Sequence, residues 1–275
     1  MKRTRGFTLL EMVLVIVIMG IMAASFTVFF LPAVESYFDA RRRAELTDTA
    51  DTALRRIGRE VRRAVPNSIR IPGPTCFELV PTKSGGLYRR AVDIINASSD
   101  PLDTTGTDAS FDVLSPLAFP PAAGDFIVIG NQNTNDVYAG ATRGTVSAWA
   151  SPPAPGGALV GVGRVALTAA TQFPAGYDGG RFQVVDANEQ SVFYICDGAG
   201  SLMRLVRPFT PAYPAACPPT AGAVPLATNV AACEFVYNPN QGATQQSGFL
   251  WMRIELLSGG ERMALTHGAH VSNVP

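Results

Sequence analysis

MKRTRGFTLLEMVLVIVIMGIMAASFTVFFLPAV, residues 1–34, decides how the rest of the chain is read. From Phe7 to Leu31 the only ionisable side chain is Glu11. That run exceeds the ~20 residues that carry a helix across the hydrocarbon core of a bilayer. Lys2, Arg3 and Arg5 stand in front of it. Basic residues on that flank hold their end in the cytoplasm and send the remainder outward. A secretory signal peptide shares the basic start and apolar middle, but its apolar region is ~7–15 residues long. A plain signal anchor accounts for the length. Neither accounts for Glu11, because a carboxylate at such depth costs about 2.5–3.5 kcal/mol on insertion scales.

Cleavage between Gly6 and Phe7 would account for it. Phe7 then carries a free α-amino group, and Glu11 becomes the fifth residue of the mature chain. In a packed assembly the Glu11 carboxylate of one subunit meets the amine of its neighbour, so neither charge is left unpaired in a dry environment. The same pairing fixes the axial register between subunits.

The stretch GFTLLEMVLVIVIMGIM, residues 6–22, resembles the class III signal of type IV prepilins and type II secretion pseudopilins. The resemblance implies cutting after Gly6 and N-methylation of Phe7 by a prepilin peptidase. It implies Glu11 as the glutamate of subunit docking, and as partners other pilins, minor pilins and an inner-membrane assembly platform. It places the chain in a bacterial inner membrane with its head in the periplasm, and afterwards in a surface filament. ALRRIGREVRRAVPNSIRI, CFELVPTKSGGLYR, YICDGAGSLMR and LATNVAACEFVYNP are similar to minor pilins of the mannose-sensitive haemagglutinin type. That likeness covers residues 1 to about 95 and about 181 to 257.

Beyond Pro32, which permits a kink, the helical pattern turns amphipathic. Leu46, Ala50, Leu54, Ile57, Val61 and Val65 recur at steps of three and four, which marks one buried face. Arg55, Arg56, Arg59, Arg62 and Arg63 lie mostly off it, interleaved with acids, as on a solvated face. Pro66 disfavours helical geometry at Val65, so the helix is expected to run from about Phe7 to Val65.

Past Pro66, short apolar runs are punctuated by Gly, Pro, Asn and Asp, the pattern of antiparallel strands. The expected strands are 75–80, 87–94, 125–129, 181–185, 191–195, 201–206, 233–237, 249–257 and 262–266. Ser258-Gly259-Gly260 provides a tight hairpin between the last two. Residues 98–174 read as an insertion of long loops with few strands. The expectation is an α+β, pilin-like chain: leader 1–6, membrane and assembly helix 7–31, amphipathic helix 32–65, and a β-rich head 66–275.

Cys76, Cys196, Cys217 and Cys233 all lie in the head, and an even count in an exported domain fits two disulfides. Four buried thiols in a cytosolic protein are the alternative. Of three pairings, Cys217 with Cys233 and Cys76 with Cys196 is the preferred one.

No catalytic constellation, cofactor motif or small-molecule substrate is evident. The 22 basic and 22 acidic residues cancel, so no overall field points to nucleic acid. His267 and His270 form a lone HxxH without an acidic or cysteine neighbour. Gly161-Val162-Gly163 lacks the remainder of a dinucleotide loop, and no Walker motif appears. Asp100, Asp103, Asp108 and Asp112, with Asn131, Asn133, Asn135 and Asp136, offer oxygen ligands for calcium, but not at EF-hand spacing. Asn96-Ala97-Ser98 is a formal sequon, and a loop at Trp149 offers a contact surface. Three functions remain: a minor pilin, a large-headed pseudopilin, and a membrane-anchored periplasmic enzyme or binding protein that never assembles.

Overall fold

A computed structural model describes residues 6–151, 160–175, 179–241 and 247–274. The leader's Lys2, Arg3 and Arg5 lie outside the described residues. Helix α1 spans Leu9–Arg62 and continues through Pro32. Its buried residues are Leu46, Ala50, Ala53, Leu54, Ile57, Gly58 and Val61, the stripe that the three-and-four periodicity marks. Asp51 and Arg55 pair at 2.6 Å on the opposite, exposed face. The helix stops three residues short of Val65. Val65 instead donates its N–H to the Val80 carbonyl at 2.9 Å, so the chain joins the sheet before Pro66.

Among the described residues the head has three antiparallel sheets. The first has the order β1 (Arg70–Gly73), β2 (Cys76–Leu79), β9 (Ser191–Cys196), β10 (Ser201–Arg207) and β11 (Val224–Thr228). The second is β12 (Val230–Gln241), β13 (Ser247–Ser258) and β14 (Glu261–Ser272). Helix α1 lies on β13 and β14. Its stripe shares one core with Phe77, Leu79, Tyr194, Phe235, Leu250, Met252, Ile254 and Leu256. The β13–β14 hairpin closes as expected, with Ser258 opposite Glu261. Gly259 and Gly260 have φ of 56° and 86°, the positive values that a two-residue hairpin turn requires.

The third sheet corrects the sequence expectation. Residues 98–174 are not mainly loop: β4 (Asp108–Val113), β5 (Phe126–Val128), a short α2 (Asp136–Ala139), β6 (Arg143–Ala150) and β7 (Gly163–Thr171) lie there. With β3 (Ser84–Leu87) and β8 (Arg181–Val185) they make a six-stranded sheet of order β3-β8-β5-β6-β7-β4. Its edges meet. Tyr88 bridges Val113, Leu114 N–H donates to the Leu87 carbonyl, and Arg89 N–H donates to the Asp112 carbonyl, both at 2.8 Å. The sheet is therefore a closed barrel, with Phe111, Ile127, Val146, Val165, Phe173 and Phe182 in its own core. It is spliced into the head between β2 and β9. The strand expected over 87–94 is also corrected: β3 ends at Leu87, and Asp93 then accepts the N–H groups of Ile95 and Asn96 at 2.8 and 3.1 Å, making a turn.

The cysteine pairing differs too. The bonds join Cys76 to Cys217 and Cys196 to Cys233, with Cα separations of 5.7 and 6.4 Å. Register explains why. Cys76 sits opposite Ile195, so Cys196, one residue on, faces the other side of the sheet. Cys76 and Cys217 lie in a small cluster with Phe193, Ile195 and Leu205, while Cys196 and Cys233 pack against the main core.

Peptide mapping without reductant should recover Cys76 linked to Cys217 and Cys196 linked to Cys233. Chain-entropy reasoning puts loss of the former, which spans 141 residues, at about 5 kcal/mol, and of the latter, which spans 37, at about 4. At the helix–sheet contact, a Cβ added to Gly58 would lie 2.8 Å from His267 Nε2. Gly58→Ala should therefore destabilise, because overpacking costs ~1–3 kcal/mol against a helix-propensity gain of about 1. In a His267→Ala background the same change should stabilise, and chemical unfolding of both pairs reads the sign.

Candidate functional site

The N-terminal half of α1 is the largest feature that the fold leaves unburied. Large apolar side chains from Phe7 to Phe38 stand exposed, and the first buried helix residue is Leu46. Burial of such a side chain is worth roughly 1.5–3 kcal/mol. A face of this extent needs lipid or other helices around it. Helix α1 is the one described helix long and apolar enough to cross a membrane.

Its start is a built structure. Thr8 is the N-cap and accepts the Glu11 N–H at 3.3 Å, while Glu11 Oε2 accepts the Thr8 N–H at 3.5 Å. This reciprocal capping box satisfies two donors that a helix start leaves open, and the helix dipole favours a carboxylate there. Phe7 precedes it, 77% exposed. The spacing Thr8-x-x-Glu11 was legible in the sequence as a capping box, and a reading of Glu11 as a docking charge alone misses it.

A second feature that sequence reasoning missed lies where barrel and head meet. Arg70, wholly buried, stacks its guanidinium 3.3 Å from the centre of the Tyr138 ring. It donates to Asn135 Oδ1 at 2.5 Å and to the Thr210 and Ala212 carbonyls at 3.1 Å, and pairs with Glu78 at 3.5 Å. Burial pushes the Glu78 carboxyl above its ordinary value, and hydrogen bonds from Ser191 and Arg70 offset this only in part. Arginine in a strand carries no sequence signal of such a role.

The remaining candidates disperse. Asp112 accepts Arg164 Nε at 2.7 Å and the Asp100 N–H at 2.8 Å, and Asp100 accepts the Ser110 hydroxyl. Asp103 and Asp108 hold backbone N–H groups of their own loop. Asn131 donates to the Pro66 carbonyl, and Asn133 donates to Asp136. Among the described residues, no three His, Cys, Asp or Glu side chains converge. His267 faces α1 at Gly58, whereas His270 lies opposite Phe249 on the other side of the sheet. Trp149 is not in a loop: it belongs to β6 and covers Gly163, the last residue of Gly161-Val162-Gly163, in the barrel wall. Ser98 of the sequon donates to its own Asn96 side chain.

A long apolar helix carried by an antiparallel β head is an α+β, pilin-like fold. Residues 1–27 match the family model described as the prokaryotic N-terminal methylation motif. This motif supports a type IV pilin-like or pseudopilin subunit, processed by prepilin peptidase and assembled with other pilins. The match ends inside the helix. Neither the curated proteins nor the solved structures compared with the chain give a match.

The raised folded-state value of Glu78 means that the native protein binds its proton more tightly than the unfolded chain, whose value is near 4.5. Its contribution to stability is full below that pH and is lost as pH rises through the raised value. The stability of wild type relative to Glu78→Gln should accordingly fall with rising pH and then level off. Unfolding of the full chain in detergent across the acid range measures it.

Proposed function

We propose that this chain is a minor pilin of the mannose-sensitive haemagglutinin type, similar to MshO, which acts in initiation or at the tip of a type IV pilus. Prepilin peptidase cuts after Gly6 and N-methylates Phe7. The helix then holds the protein in the inner membrane, head in the periplasm, until a docking platform passes it into the filament. The observation that carries this reading is the exposed apolar half of α1 with its capped, carboxylate-bearing start, in the stretch that matches the methylation motif. Glu11 has a role in both settings: it caps its own helix in the free subunit and meets a neighbour's Phe7 amine in the filament. The barrel favours a minor position, because it adds bulk that every copy along a fibre would have to accommodate. The chain's own part is structural, and cleavage and methylation are the work of the peptidase.

Mass spectrometry of the mature protein should find an N-methylated Phe7 at the amino end, and loss of the peptidase should leave Met1 in place. Glu11→Gln retains an oxygen acceptor for the capping box but removes the charge. It should be processed normally and enter filaments at least about tenfold less, the scale expected for an uncompensated buried amine. Unimpaired incorporation would refute the docking role. A chain that keeps its first residues and works alone would instead be a membrane-anchored binding protein. Co-assembly with a secretion apparatus rather than a pilus would identify a pseudopilin.

A further inference from the structure

Where the last turn of α1 meets the barrel, three hollows of about 430, 360 and 270 Å³ adjoin along one trough. Arg63 and Thr82 line all three. The Arg63 carbonyl accepts the Thr82 N–H at 3.1 Å, which ties the helix end to the chain entering the barrel. Arg56 and Arg59 flank the end towards the helix, Lys83 lies in the middle, and Arg181 of β8 flanks the far end. Phe119, 61% exposed, lies on the rim beside Lys83.

The charges do not balance. Each carboxylate in the trough already holds one of its cations. Glu60 pairs with Arg56 and Arg204, Glu189 with Arg204, and Asp186 with Lys83. Asp125, from outside the trough, holds Lys83 as well. Arg59, Arg63 and Arg181 have no carboxylate partner among the described residues. The negative pole of the α1 C-terminus offsets part of this for Arg59 and Arg63. Arg181 belongs to β8 of the barrel and not to the helix, although it lines the same hollow as Arg63.

We propose that this trough receives an extended acidic polypeptide segment of a neighbouring filament subunit. The surplus guanidinium groups take its carboxylates, and Phe119 takes an apolar side chain. The identification of the partner as a filament subunit rests on the pilin reading; the chemistry of the trough does not. A lipid headgroup of the chain's own membrane is out of reach. At 1.5 Å per residue, Arg63 lies about 50 Å along the helix from Leu31. A nucleic-acid backbone fits less well, because Glu60, Asp186 and Glu189 interrupt the cations and would repel a continuous row of phosphates.

The test uses the detergent-solubilised full chain, so it does not depend on filament assembly. The probe is a fluorescein-labelled peptide of four Asp-Leu-Glu repeats, read by anisotropy at low salt. Binding should weaken as salt rises, and the Arg59→Gln/Arg63→Gln double variant should lose about tenfold in affinity, typical of removing charged partners from a complementary interface. Arg62→Gln should change nothing, because Arg62 belongs to the same helix end but lines none of the three hollows. No binding, an equal loss with Arg62→Gln, or tighter binding of a short DNA duplex would overturn the proposal. In cells, a photo-crosslinker at Phe119 should capture an Asp- and Glu-rich stretch of a co-assembled subunit. Capture of a non-filament protein alone would overturn the choice of partner, while the terminus at Phe7 judges the pilin reading separately.

Discussion

The contact between the second half of α1 and the inner face of β13 and β14 is the constraint from which the rest follows. A single helix cannot bury its own stripe, and a three-stranded sheet with one apolar face cannot stay open to water. Leu46, Leu54, Ile57 and Val61 meet Leu250, Met252, Ile254 and Leu256 in one core, and each side supplies what the other lacks. The close approach of Gly58 to His267 shows how tightly the two are set. Because α1 is continuous from Leu9 to Arg62, anchoring its second half also fixes the direction in which its first half leaves the head. The exposed apolar segment is thus a continuous helical projection of the core.

The barrel is joined to that core by another kind of bond. Its two covalent connections are short, and the seam between barrel and head holds Val65, Val80, Val128, Val137, Tyr138 and Val185. Beside this seam Arg70 reaches from β1 to α2 and to the segment after β10. Burying a guanidinium is costly unless its donors are met, and here two carbonyls, an amide oxygen and a carboxylate meet the two terminal nitrogens and a ring face covers the plane, while Nε has no partner among the described residues. Such a group tolerates few alternative positions, so it orients the barrel as well as attaching it. Arg143 adds a similar contact, with its guanidinium 4.2 Å from the centre of the Phe209 ring.

How much of this could be read in advance depends on whether the signal was local. The helix was legible because its first half is a nearly unbroken apolar run and its second half carries an amphipathic stripe, each several turns long. The β13–β14 hairpin was legible because Leu250, Met252, Ile254 and Leu256 alternate cleanly and two glycines follow Ser258. The barrel was not. Strands such as Arg143–Ala150 and Gly163–Thr171 are rich in Gly, Ala, Ser and Thr, because in so small a barrel many positions must be small. That composition is also that of loops. Closure through Tyr88 and Val113 joins residues far apart in the chain, which no window of sequence contains. The disulfide pairing failed for the same reason, since it depends on which face Cys196 takes opposite β2. At the candidate site, the run and its carboxylate are evident in the sequence, and the capping box lies in the same four letters, Thr8 to Glu11.

That capping box changes how the energetics of Glu11 should be understood. A carboxylate with no partner in hydrocarbon would make the free subunit costly to store in a membrane. Glu11 is not in that position, since the Thr8 N–H and the positive end of the helix already face it. The bond is long, at 3.5 Å against about 2.9 Å for a strong one, so giving it up costs little. A charged amine from a neighbouring subunit, in a setting of low dielectric, is the stronger partner by a wide margin. The local cap therefore lowers the cost of waiting and would not compete seriously with the proposed docking. In the proposed filament the same side chain would be stable in two environments, and the arrival of the amine would set the direction of exchange.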